Sequence, residues 1–130
     1  MAFAAWTGKR LPLEKEWEAA ARTKKGNPFP WGKRWRPDSC NIDESYIGGT
    51  TPVDHYINHV NGLGLVDILG NVMEWTMDEV DDTGYKKGKI KYYIAKGGSF
   101  ISGKNVRLFS RFILESTSCS NIVGFRCVAL

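Results

Sequence analysis

The residues in this chain that could do chemistry are few: three cysteines, two histidines and the stretch GGSFISGKNVRLFSRFIL at 97–114. Cys40, Cys119 and Cys127 lie far apart with no C-x-x-C, so neither a complete disulfide framework nor a cysteine-rich zinc site is open to them. One bridge, or three buried thiols, are both consistent with that spacing. His55 and His59 stand four apart, the spacing of a helical metal pair, but VDHYINHVNG has no helical character. A metal role there is therefore disfavoured. The 97–114 stretch opens like a turn into a strand and carries Arg107 and Arg111 four residues apart. Its apolar residues follow neither a two-residue nor a 3.6-residue period over the whole stretch, so one buried face cannot take them all. Each large apolar side chain left in water forgoes roughly 1.5–3 kcal/mol of burial. Several together would mark an interaction site.

Those residues must be held by short elements. AFAAW ends a short helix stopped by Gly8, and LEKEWEAAAR after Pro12 reads as a second helix. Glu14 and Glu16 fall in its first turn, where the helix dipole favours anions. Trp17, Ala20 and Ala21 share one face, and neither Leu13 nor Pro12 is a good N-cap. KKGNP stops the helix. Beyond it, FPWGKRW and PDSCNIDESYIGG read as loops. TTPVDHYI reads as a short edge strand because of Pro52, followed by strands at VMEWTMD, KIKYYIAKGGSF and VGFRCVAL. DEVDDTG forms an acidic tip. The pattern is α+β, with short antiparallel strands, two helices and high loop content.

With 130 residues the chain fits one domain that can bury a core. Lys+Arg 18 against Asp+Glu 14 gives +4, which permits a nucleic-acid partner without requiring one. The basic runs GKRWR (32–36) and KKGKIK (86–91) sit between turn formers and read as solvated loops, so no nucleic acid is expected. No apolar run reaches the length of a membrane span, and MAFAAWTGKR lacks the hydrophobic region of a signal peptide. Localisation is otherwise open.

In order along the chain, RLPLEKEWEAAAR, NPFPWG, CNI, TTPV, GLGLVDILGNVMEW, KGGSF, R-x-x-x-R and GFRC resemble the formylglycine-generating-enzyme/sulfatase-modifying-factor family, a branch of the C-type lectin fold. The resemblance implies a single C-type lectin-like domain over 1–130, lacking the N-terminal part that the family usually carries. The family's enzymes oxidise a substrate cysteine with copper held by two thiolates, soft ligands that suit Cu(I). At the matching positions stand Ser102 and Arg107, so no copper and no catalysis are expected. The resemblance also implies a calcium site of carboxylates from Asp67 and Glu74 with carbonyls of Gly70 and Val72, and a weaker one at Asn41 and Ile42. The same residues could instead hydrogen-bond loop amides without metal. Arg107, Arg111 and Arg126 match positions where arginines brace loops.

The C-terminal arrangement, GGSF, then arginines amid changeable residues, then GFRC, is also similar to the variable region of diversity-generating retroelement target proteins. That similarity makes 97–127 a variable ligand-binding region. Its displayed residues are Ile101, Ser102, Leu108, Phe109, Ser110, Phe112, Ile113, Leu114, Ser118, Ser120 and Asn121. All are types that an AAC codon randomised at its adenines can encode. The expected function is a non-catalytic ligand-binding protein, with a formylglycine-generating oxidoreductase or a degenerate relative as the alternative. An apolar contact surface favours a protein ligand over a sugar. The sugar-lectin carboxylate–amide motif is absent.

Overall fold

Helix α2 (Glu14–Arg22) shows how local chemistry sets this fold. The computed structural model describes residues 1–80 and 90–130, and within them α2 starts at Leu13, whose side chain cannot cap. Instead the Leu13 N–H donates to Glu16 Oε2 at 2.8 Å, and Arg10 grips the same carboxylate at 2.6 and 2.7 Å. The cap is thus supplied from inside the helix. Trp17 and Ala21 are buried, as their four-residue spacing predicts. The other end is closed by Asn61, whose Nδ2 donates to the carbonyls of Ala20 and Ala21 at 2.7 and 3.1 Å. Arg22 turns onto the carbonyls of Gly26 and Asn27.

A five-residue helix, α1 (Ala2–Trp6), precedes it, and two 3₁₀ turns lie at Asp43–Ser45 and Ile57–His59. The described strands are β1 (Lys9–Arg10), β2 (Met73–Val80), β3 (Tyr92–Lys96), β4 (Phe112–Glu115), β5 (Val123–Gly124) and β6 (Val128–Ala129). Four form one sheet in the order β4-β3-β2-β5, and β1 pairs with β6. In β2 and β3 the register runs from Glu74 opposite Lys96 to Val80 opposite Tyr92, with a shift between Trp75 and Glu79.

The strand expectations need three corrections. TTPVDHYI is not a strand, because the His55 N–H donates to the Pro52 carbonyl and the segment then tightens into the 3₁₀ turn. VGFRCVAL is not one strand but two, β5 and β6, which join different sheets. The strands are not all antiparallel either, since β5 runs parallel to β2. The tip of DEVDDTG and most of KKGKIK, at 81–89, lie outside the described residues.

Loops supply most of the core. Trp17 and Ala21 from α2 meet Phe29, Cys40, Ile42, Ile68, Leu69, Val106 and Leu108, with Trp31, Trp35, Leu65 and Phe112 at its margin. Aromatic plugs thus hold what little regular structure leaves open. Beside them lies a charge cluster that the sequence reading missed. The Lys96 ammonium, fully buried, donates to Glu18 Oε1 at 2.7 Å and to Glu14 Oε1 at 3.3 Å. Arg111 closes on Glu14 from outside, with Nε 2.6 Å from Oε1. The available signal was Glu14 and Glu18 four apart on one helix face. Among the described residues no helix is long and apolar enough to cross a membrane.

Candidate functional site

Two glycine-rich segments bolted together carry the site. Gly70 sits at φ +79, and a Cβ there would lie 2.3 Å from the Asn41 carbonyl oxygen. Only glycine permits that approach. Its N–H donates to the Gly97 carbonyl at 2.8 Å, and the Phe100 N–H donates to the Asn71 carbonyl at 2.9 Å. GGSF is therefore fastened to DILGN ahead of residue 101. Ser99 is fully buried. Its N–H donates to Ser102 Oγ at 2.9 Å, so the Ser102 hydroxyl closes a turn.

The three arginines brace this frame. Arg126 lies on the Glu74 carboxylate through Nε and Nη2, at 2.7 Å for its shortest contact, and Nη2 also donates to the Val66 carbonyl. Trp17 Nε1 donates to the same carboxylate at 2.7 Å, so Glu74 is buried but well partnered. Arg107 donates to the carbonyls of Lys104 and Val106 and lies over the Phe29 ring, 4.5 Å from its centre. Arg111 holds Glu14.

From that frame the displayed set divides. Ile101, Phe109 and Ile113 are exposed, at 57%, 52% and 57%. Ser118, Ser120 and Asn121 are exposed in the loop after β4. Ser102, Ser110 and Phe112 converge with Arg111 on an open depression of about 470 Å³. Within β4 the period is two after all: Phe112 and Leu114 are half-buried, whereas Ile113 and Glu115 face solvent. Phe109 lies toward the end of α2, with the Arg22 guanidinium 5.8 Å from its ring centre. Leu108 must be corrected. It is 0% exposed within the core, and its N–H donates to the Pro28 carbonyl, so it belongs to the scaffold and displays nothing.

The ion sites differ in how well they fit. Asp67 Oδ1 is buried without a hydrogen bond, while Oδ2 takes Asn71 Nδ2 at 3.3 Å. Burial, reinforced by the Glu74 charge and partly offset by Arg126, pushes the Asp67 carboxyl up to about 6. An oxygen desolvated without a partner is what a hard cation would satisfy, so Asp67 fits calcium. Glu74 fits it less well, with both oxygens already engaged by Arg126 and Trp17. The weaker set does not fit. Asn41 Oδ1 and the Ile42 carbonyl both accept from Ser45, and Asn41 Nδ2 donates to the Gly49 carbonyl and to Asn71 Oδ1.

The thiols are all free. Burial, with the charges of Asp67 and Glu44, pushes Cys40 up to about 12, which leaves it without thiolate at neutral pH. Cys119 is exposed beside Ser118 and Ser120. Among the described residues no group of three or more His, Cys, Asp or Glu is placed to hold a metal.

The family model described as "Sulfatase-modifying factor enzyme 1-like domain" matches residues 1–130. The formylglycine-generating enzyme of Mus musculus is 36% identical over 156 residues, spanning 99% of this chain and 41% of that protein. The inactive C-alpha-formylglycine-generating enzyme 2 of Bos taurus is 34% identical over 145 residues, spanning 98% of this chain and 46% of that protein. This chain thus spans less than half the length of either relative. In structure it is similar to Treponema denticola variable protein 1, with a TM-score of 0.78 and 25% identity, covering 92% of this chain and 46% of that one.

Proposed function

Because this chain belongs to the family of the sulfatase-modifying factor enzyme 1-like domain, we propose that it uses the family's scaffold to bind a ligand without catalysis. In this reading it is the target protein of a diversity-generating retroelement. Its contact surface is Ile101, Ser102, Phe109, Ser110, Phe112, Ile113, Leu114, Ser118, Ser120 and Asn121. The observation that carries the reading is the exposure of Ile101, Phe109 and Ile113 in a segment pinned at both ends by buried contacts. A rigid frame holding large apolar side chains in water lowers the ordering cost of binding a protein surface. Similarity to a solved variable protein and to a relative named inactive supports it.

The alternative is an oxidoreductase of the formylglycine-generating kind, favoured by the active relatives' names. Against it, Ser102 and Arg107 stand where the family's copper thiolates are expected, and both are engaged in holding their own turns. A hydroxyl is a poor Cu(I) ligand and a guanidinium is none. The reading further places a calcium ion on Asp67 with the carbonyls of Gly70 and Val72.

Sequencing the last coding segment in many isolates tests the proposal. Differences should cluster at the ten contact codons, beside a reverse-transcriptase gene and an imperfect copy of the segment. Differences scattered through the frame residues, or oxygen uptake by the copper-loaded protein on a cysteine-containing peptide, would refute it.

A further inference from the structure

Lys25, from the KKGNP stretch that stops α2, and Arg36, from the GKRWR run that reads as a solvated loop, both line one cavity. It holds about 310 Å³ and is lined by Lys25, Arg36, His59, Asn27, Asn58 and Trp31, with Asn61 among the remaining residues. None of the described residues lining it is acidic. Lys25 and Arg36 take part in no ion pair among the described residues.

Such a cavity at the C-terminal end of α2 should repel anions, because the last helical carbonyls carry the negative end of the dipole. Here two of those carbonyls are already engaged. Asn61 Nδ2 takes the carbonyls of Ala20 and Ala21, its Oδ1 accepts from the N–H groups of Leu63 and Leu65, and Arg22 takes two more carbonyls beyond the helix. The positive side chains are left unopposed. The Trp31 ring, part of the lining, is held in place. It stacks on Phe29 at 5.6 Å with planes 2° apart, meets Trp35 edge-on, and its Nε1 donates to the Arg34 carbonyl at 2.9 Å.

We propose that this cleft binds a small ring-bearing phosphate ester, with the phosphate between Lys25 and Arg36 and the ring on Trp31. Arg36 supplies fork-shaped donors and Lys25 a point charge, the usual pairing for phosphate oxygens. The volume is at the lower limit for small-molecule sites, which selects a single ring and its phosphate over a polymer. The lining shares no residue with the contact surface proposed above, so either reading can fail while the other stands.

Calorimetric titration of the full chain with phenyl phosphate, inorganic phosphate and phenol tests this. Phenyl phosphate should bind with a Kd of about 1 mM or below, and inorganic phosphate and phenol each at least about tenfold more weakly. Lys25→Ala and Arg36→Ala, both at exposed positions, should each weaken phenyl phosphate by about tenfold. Lys104→Ala, outside the cleft, and Ile113→Ser, on the contact surface, should leave binding unchanged. Equal affinity for inorganic phosphate, insensitivity to both cleft variants, or no binding of phenyl phosphate overturns the proposal.

Discussion

Asp67 is the least comfortable side chain described, with one carboxylate oxygen buried and unpartnered. Its folded pKa, near 6, lies above its ordinary value of 3.8, so the native state holds a proton that the unfolded chain has already released. Its contribution to stability therefore falls as pH rises from about 4 to 6 and levels off above that. Glu14 and Glu16, held low by Arg111 and Arg10, act oppositely: their stabilisation is present above the ordinary glutamate range and fades as pH falls. Subtracting the Asp67→Asn melting profile from that of the unaltered chain isolates the Asp67 slope. The variant should gain about 2 kcal/mol at pH 7 without calcium. Calcium should raise the melting temperature of the unaltered chain alone, and EDTA should reverse it; if neither moves the melt, the ion site is discarded. Arg126→Ala leaves the buried Glu74 with only Trp17 and should cost about 3 kcal/mol by chemical denaturation. Glu74 and Arg126 were each legible as residues that mattered. Their pairing was not, because nothing local links positions 52 residues apart in sequence.

Among the elements, α2 and strands β2 and β3 follow from composition and spacing, since their apolar and β-branched or aromatic residues recur at the right intervals. What escaped a sequence reading is short and set by distant partners. β5 and β6 are two residues each, and the choice of sheet belongs to β2 and β1, not to VGFRCVAL itself. Leu108 looks like its neighbours Phe109 and Phe112 in sequence, but the Pro28 carbonyl takes its N–H and the side chain turns into the core. The joint between DILGN and GGSF is the element-scale weak point. Gly70→Ala would place a methyl against the Asn41 carbonyl on a backbone at positive φ, and we expect a loss of about 3 kcal/mol or more. Gly8→Ala is the comparison: its φ is positive too, yet no atom lies within 4 Å of the added carbon, so the cost should be about 1 kcal/mol. Equal losses in the two variants would mean that the close approach at Gly70 matters little.

At the scale of the molecule, the proposed function requires the frame and the contact residues to separate energetically. Ile101→Ser, Phe109→Ser and Ile113→Ser combined should change unfolding free energy by about 2 kcal/mol, because each side chain is only partly covered. A loss several times larger by denaturant titration would show that those residues pack against something and would count against the display reading. The family was legible because eight short motifs fall in order along the whole chain. The proposed contact surface was legible only as a set of residues, since burial decides which of them can face a ligand and burial depends on where the frame turns each side chain. Lys9 lies opposite Ala129 in the β1–β6 pair, so two residues 120 apart in sequence are held side by side. A pull on the last strand is thus delivered through β1 to the run that leads into α2, and so to the buried Trp17 that α2 carries.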